Sequence, residues 1–415
     1  MNFKYIANGH MYEYRDGDVV ELTSGILESY KAKVKSSAER NEWKYTGTGA
    51  AFTGTFRAGA SADDAVSSIY SAVGCVGSHR GDVIYSLDID NTNGIYRKAQ
   101  GDAPSDEGIV LCSSNVAYRD FDIRGDLMVV SSSFAGESNI AVMDLISKRV
   151  VTYTEGHTLD VTPVWSRVST NKIYFCSIGL PDGTAPRQEL HGEINYAQIL
   201  GEMYAPTQRG AARGPSALCV LDISRGLLDE LLSDNKYDYT HPASTRDGSV
   251  YYIRRPYAPT SGGNTLGCLA DIFMMPVRLF QAIFGFLNVF SAKYSGKTLS
   301  RSDVKSRDEG QLFIDGNLIN AERELKANAK RGDKNPGIIP RSWELRRLAP
   351  SGEDTLIRAG VAAFRVDEAT GDIIFSNGSA ILRLDKDGKE EKIVKADKVT
   401  FIDSVMHAAD NHAKL

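Results

Sequence analysis

Seven histidines are the first place to look for chemistry, and their spacing excludes the simplest metal sites. His10, His79, His157, His191, His241, His407 and His412 include no HxxxH or HExxH pair, the spacing that sets two imidazoles on one helical face. No Gly-x-Ser-x-Gly elbow presents a nucleophilic serine. The glycine-rich runs 47–54 and 262–267 lack the Lys-Ser/Thr that completes a phosphate loop, and read as insertions. Chemistry therefore has to come from residues that the fold gathers from distant segments. The set that short β-rich runs could converge is Arg119, Asp120, Asp160, Thr162, Tyr239 and His241, with Tyr118, Asp122 and Arg365 beside it. Mixed charges of this kind line ligand-binding channels. They equally satisfy one another and trapped water where strands meet. No catalytic residue, metal ligand or cofactor is assigned from the sequence.

Composition narrows the classes. The 415 residues are 42% hydrophobic and 24% charged with a net charge of −5, an ordinary balance for a globular protein. Nucleic acid is not an expected partner, because no basic face is clustered. The small basic patches at 209–214 and 326–334 carry no interleaved aromatics for base stacking. Five cysteines, an odd number without close pairs, are expected to be reduced, several as small hydrophobes in strand-like runs. The opening MNFKYIANGH has neither a basic nor an apolar leader region, so a cytoplasmic location is expected.

The elements that would position such residues come from repeats. Asp372-Ile-Ile-Phe-Ser-Asn-Gly matches Phe3-Lys-Tyr-Ile-Ala-Asn-Gly, and the segments after them both end in Asp-Gly (Asp387-Gly388 and Asp16-Gly17). Asn-Gly and Asp-Gly between short apolar runs signal hairpins. Further copies start at Gly81, Gly125, Asn171 and Asp247, the first three about 45 residues apart, the length of a four-stranded propeller blade. Candidate first strands are YRDFDI, DVTPVWS, YDYTHPAS and VAAFRVD. The N-terminal copy lacks a first strand, and 398–405 (KVTFIDSV) lacks partners downstream. Joined, they complete a sixth blade and remove the exposed edges of an open sheet. The expected fold class is all-β: a six-bladed β-propeller closed by strands from both termini, as one domain over 1–415, with a helical insertion in the fifth blade.

The segments Asp160-Val-Thr-Pro-Val-Trp-Ser and Tyr239-Thr-His-Pro-Ala-Ser-Thr-Arg-Asp-Gly resemble the repeats of TolB-like (WD-repeat-like) six-bladed propellers, which are similar to the propellers of prolyl-oligopeptidase-type enzymes. The resemblance covers about two thirds of the chain and implies a fold rather than an activity, since propellers host many functions. No hydrolase segment follows the propeller in this sequence.

In an up-and-down blade, the link from second to third strand and the link to the next blade leave from one face. Three insertions, at about 26–68, 180–215 and 256–341, occupy such links and are therefore expected on one face, the expected working face. Within the third, residues 268–294 are apolar nearly all round, with polar residues at helical spacing. Arg278, Gln281 and Asn288 interrupt a transmembrane span. A second helix is expected over 318–331 with Gly332 as its stop. A helix apolar on most sides must be covered by something. The leading expectation is a non-enzymatic scaffold that engages a protein partner through Phe273, Phe280, Phe284, Phe286, Leu287 and Phe290. Three other readings stay open: the same helix packed on its own propeller, the same helix resting on a membrane surface, and, from the channel residues instead, a metal-dependent lyase or hydrolase acting on a small or sugar-like substrate with His241, Asp160 and Asp120 convergent.

Overall fold

The computed structural model of the protein describes residues 1–41, 62–90, 92–99, 107–134, 136–180, 214–257, 311–314 and 317–403. Short β-rich runs closed by turn residues dictate nearly all of it. β1 (Asn2–Ala7), β2 (His10–Arg15) and β3 (Asp18–Leu22) are joined by Asn8-Gly9 and Asp16-Gly17, whose φ values are 54° and 77°, and 46° and 111°. Two successive positive φ values give the tight hairpin turn whose twist matches the flanking strands, and Asn or Asp followed by Gly adopts them most readily.

The same unit recurs along the chain. β4 (Ser71–His79), β5 (Asp82–Ile89), β6 (Thr92–Lys98) and β7 (Gly108–Ser113) form one four-stranded antiparallel sheet. β8 (Ala117–Arg124), β9 (Leu127–Phe134), β10 (Glu137–Asp144) and β11 (Val150–Thr152) follow, then β12 (Thr158–Trp165), β13 (Lys172–Gly179), β14 (Ser216–Asp222) and β15 (Leu227–Leu232). These two antiparallel runs are bridged where Ser138 meets Leu159 in parallel. Next come β16 (Tyr237–Ser244) and β17 (Val250–Pro256), then, beyond the hairpin β18 (Gln311–Ile314) and β19 (Asn317–Asn320), their sheet partners β20 (Glu344–Leu348) and β21 (Asp354–Ala359). β22 (Ala363–Val366), β23 (Ile373–Ser376), β24 (Ile381–Leu384) and β25 (Glu390–Val394) make a further sheet. β26 (Val399–Ile402) returns to pair antiparallel with β1, Tyr5 facing Ile402 and Ile6 facing Phe401.

The leading strands β26, β4, β8, β12, β16 and β22 each neighbour the next, and β22 neighbours β26 again. This is the arrangement of a β-propeller, and its core lies in the gaps between sheets. Phe3, Tyr5, Ile374, Ile381, Val399 and Ile402 fill the gap that the two ends of the chain close. Trp165, Phe175, Val129 and Ile140 fill another. Each such large side chain, fully buried, contributes roughly 1.5–3 kcal/mol.

Two insertions are partly described. α1 (Gly25–Asn41) and α2 (Ala62–Ser67) follow β3. Ser24 Oγ accepts the Leu27 amide at 3.1 Å, while the buried Glu107 carboxylate takes the Ile26 amide at 3.2 Å and the Lys98 ammonium at 3.1 Å. An anion at a helix N-terminus meets its unpaired amides and its dipole. The helix expected over 318–331 is shorter than that: β19 holds residues 317–320, and α3 (Ala321–Lys330) begins after Asn320. Asn320 Oδ1 accepts the Arg323 amide at 2.9 Å, an N-cap that fixes the start. The stop falls as expected, with Gly332 at φ 83°. This part of the third insertion is built into the body: Ile319, Ile338 and Ile339 are core residues, and Asn377 O accepts from the Ile338 and Ile339 amides at 3.1 and 3.3 Å. Residues 268–294, with Phe273, Phe280, Phe284, Phe286, Leu287 and Phe290, lie outside the described residues. No helix among the described residues is long and apolar enough to cross a membrane.

Candidate functional site: the central channel and its mouth

Four leading strands break register at the same place. The shifts fall between Val73 and Val76, Tyr118 and Phe121, Val161 and Val164, and Thr240 and Ala243. The residues left over are Gly74-Cys75, Arg119-Asp120, Thr162-Pro163 and His241-Pro242. Such bulges bend a strand and re-aim its side chains. Thr162 and His241 have φ of 51° and 52°, a region that β-branched residues avoid, and both precede proline, which restricts them further. Backbone strain of this kind costs on the order of 1–3 kcal/mol per residue and clusters at functional positions.

The bulges decide where the sequence-predicted channel residues go. Asp120 Oδ2 accepts the Thr162 amide at 3.3 Å, linking two neighbouring leading strands. His241 sets Nδ1 3.2 Å from Thr240 Oγ1. The Arg119 carbonyl accepts from Ser86 Oγ at 2.8 Å. Arg119 Nε and Thr162 Oγ1 are buried without a hydrogen-bond partner among the described residues, which costs stability unless a partner is supplied. Asp160 is turned into its own sheet, accepting from Ser177 Oγ at 2.7 Å, while its carbonyl takes the Ser131 and Ser138 hydroxyls. Tyr239 packs among Cys176, Leu218, Val250 and Tyr252, its ring centroid 5.6 Å from that of Tyr252, and burial raises its phenol pKa. The structure thus brings Asp120 to Thr162, and sends Asp160 and Tyr239 elsewhere. Among the described residues no three His, Cys, Asp or Glu side chains converge as a metal-ligand set. Cys75 is fully buried, and burial followed by Asp120 pushes its thiol well above the ordinary range, which leaves it inert.

A denser arrangement sits at the end of the channel where first strands turn into second strands. Asp122, near the end of β8, reaches the next sheet: Oδ2 accepts the Trp165 amide at 2.9 Å and Oδ1 accepts from Arg167 Nη2 at 3.2 Å. Arg365, from β22, lies 3.7 Å from the same carboxylate. Arg167 Nε also pairs with Glu368 Oε1 at 2.9 Å, and Arg246 Nε pairs with Glu368 Oε2 at 3.1 Å. Burial opposes the charge on Arg167, but Asp122 and Glu368 outweigh it and its pKa is raised. Arg124 donates instead to the carbonyls of Ser166 at 3.3 Å and Ser169 at 3.0 Å, and to that of Thr170. Burial, then the neighbouring Arg167 charge, lowers its pKa.

These groups line an open cavity of about 260 Å³ bounded by Arg124, the turn 166–170, Arg246 and Glu368. Sequence reasoning named Asp122 and Arg365 but missed this mouth. A signal was present: Arg80, Arg124, Arg167 and Arg246 occupy the corresponding turn in four repeats.

No family model matches the sequence, and none of the curated proteins does. Solved structures similar in arrangement include TolB from Acinetobacter baumannii, 9% identical, with a TM-score of 0.48, over 97% of this chain and 66% of that one. The chain therefore spans slightly less than two thirds of that protein's length. A putative TolB from Agrobacterium tumefaciens is 10% identical with a TM-score of 0.39, over 79% and 83% of the two chains. Oligogalacturonate lyase from Vibrio parahaemolyticus is 11% identical with a TM-score of 0.35, over 78% and 79%. The propeller itself is read from the strand order rather than from these likenesses.

Proposed function

We propose that the chain is a six-bladed propeller scaffold, non-enzymatic, that binds a protein partner through the end carrying its insertions. One observation carries this reading. The long links follow β3, β13 and β17, and in four-stranded antiparallel units the second-to-third link and the link to the next unit leave from the same end. Segments 42–61, 181–213 and 258–310 therefore all depart on one side of a rigid ring, the usual way a scaffold presents a binding surface. The apolar stretch 268–294 belongs to the longest of them and supplies Phe273, Phe280, Phe284, Phe286, Leu287 and Phe290 as contacts. Among the described residues Cys75, Cys112 and Cys219 form no disulfide, which suits a reducing, cytoplasmic setting.

The test is a deletion confined to 261–308, bridged by a short Gly-Ser linker. It spares Ile319, Ile338 and Ile339, which the core needs. Tagged full-length protein and the deletion are used as bait in the native cell, with captured proteins identified by mass spectrometry. The expected result is a partner captured in stoichiometric amount by the full chain and lost from a deletion that melts at nearly the same temperature. Undiminished capture by the deletion overturns the reading.

A further inference from the structure

We propose that the cavity at the opposite, short-turn end of the channel is a binding site for a carboxylate-bearing ligand, held chiefly by Arg246. Three guanidiniums line it, those of Arg124, Arg167 and Arg246, against the single carboxylate of Glu368. Behind it the Asp122 charge is matched by that of Arg365, which leaves the balance of the lining as it is, and Asp403 also acts on Arg167. A local surplus of positive charge in a chain whose net charge is −5 is a property of this mouth, not of the protein at large. Arg124 registers it directly. Among the described residues it hydrogen-bonds to backbone carbonyls and pairs with no carboxylate, and burial and the Arg167 charge beside it disfavour its own charge more than Asp122 supports it. An anion in the cavity would relieve both.

Glu368 shows how such a ligand is held. Its two oxygens are each taken by the Nε of a different arginine, Arg167 on one side and Arg246 on the other. Arg167 is then engaged at two nitrogens, since its Nη2 goes to Asp122, and its side chain is only 15% exposed. Arg246 is not: its side chain is 78% exposed and, among the described residues, only its Nε is committed. Its two terminal nitrogens remain as a fork of the shape that accepts a carboxylate through parallel hydrogen bonds. Ser169 and Thr170 on the facing turn complete the lining. Glu368 competes for the same guanidinium, so it sets the affinity: removing its charge frees the Nε of Arg246 and raises the positive potential of the cavity.

The ligand is either a free small carboxylate or an acidic peptide, and two probes separate them. Citrate and an acetylated triglutamate peptide are titrated calorimetrically into the full chain at low salt, with a triglutamine peptide as the neutral control. At least one acidic probe is expected to bind saturably and the control not to. Arg246→Gln should weaken that binding roughly tenfold or more, the loss of a charge-assisted contact, and Glu368→Gln should strengthen it. Citrate alone binding identifies a small-molecule site; triglutamate alone, a peptide site. No saturable binding below about 10 mM, a threshold near 3 kcal/mol, overturns the proposal, as does binding that Arg246→Gln leaves unchanged. Should Glu368→Gln fail to fold, Arg246→Gln decides alone, because that side chain is exposed and its loss leaves the core untouched.

Discussion

Arg124 lays its guanidinium over the indole of Trp165, with 4.4 Å from its central carbon to the ring centroid. The last residue of one leading strand thus covers the largest fully buried side chain among the described residues, which ends the next leading strand. Trp165 joins the two sheets by packing, and Asp122 joins them by accepting its amide. Trp165→Ala should cost about 3–5 kcal/mol, read as a lower urea midpoint at unchanged slope. Trp165→Phe should cost clearly less, because the indole Nε1 it removes has no hydrogen-bond partner among the described residues. Equal losses for the two variants would show that packing is not what Trp165 contributes.

Acid should loosen the turn between β16 and β17. Burial pushes the Asp247 carboxyl up, but the Thr245 hydroxyl, the Ser249 amide and hydroxyl, and the Arg347 guanidinium outweigh it and hold the pKa down to about 2, from an ordinary 3.8. A carboxyl with a depressed folded pKa contributes stability above its unfolded value and gives it up as pH falls through the folded one. The window therefore runs from about pH 4 to about pH 2. Wild-type protein should lose more melting temperature across it than Asp247→Asn, whose side chain does not titrate. The difference should be small, since the carboxylate is 53% exposed and water screens it. Parallel curves would remove Asp247 from the account.

Strain at Thr162 should be releasable. A threonine at φ 51° pays roughly 1–2 kcal/mol for its Cβ in the left-handed region, and its hydroxyl is unpartnered among the described residues. Thr162→Gly removes both penalties while adding chain entropy to the unfolded state. A net gain of about 1 kcal/mol is expected, measured as a raised denaturation midpoint. A destabilised variant would mean that the threonine side chain is held by a contact that outweighs its strain.

Much of the fold was legible because its turns are chemically explicit. Asn8-Gly9 and Asp16-Gly17 announce hairpins, and the first strands read from YRDFDI, DVTPVWS and YDYTHPAS are β8, β12 and β16. β4 was not named, since Gly74 and Gly77 dilute its β character. Side-chain directions were less legible than strands. A bulge at Thr162 or His241 resets the alternation that a strand otherwise guarantees, which is why Asp160 turns to Ser177 and Tyr239 to Tyr252. The mouth was least legible of all: Arg124, Arg167, Arg246 and Glu368 come from four turns spread over more than half the chain, and only the ring brings them together.

The pairing of β1 with β26 also sets a timetable. Asn8 Nδ2 donates to the Asp397 carbonyl at 3.4 Å across a separation of 389 residues. On a ribosome adding about 5–20 residues per second, β1 waits roughly 20–80 s before its partner emerges. During that interval its inner edge is an open template for any other strand in reach. The nascent chain is therefore long exposed to mispairing at the β1–β2 hairpin, and chaperones have that interval to act there.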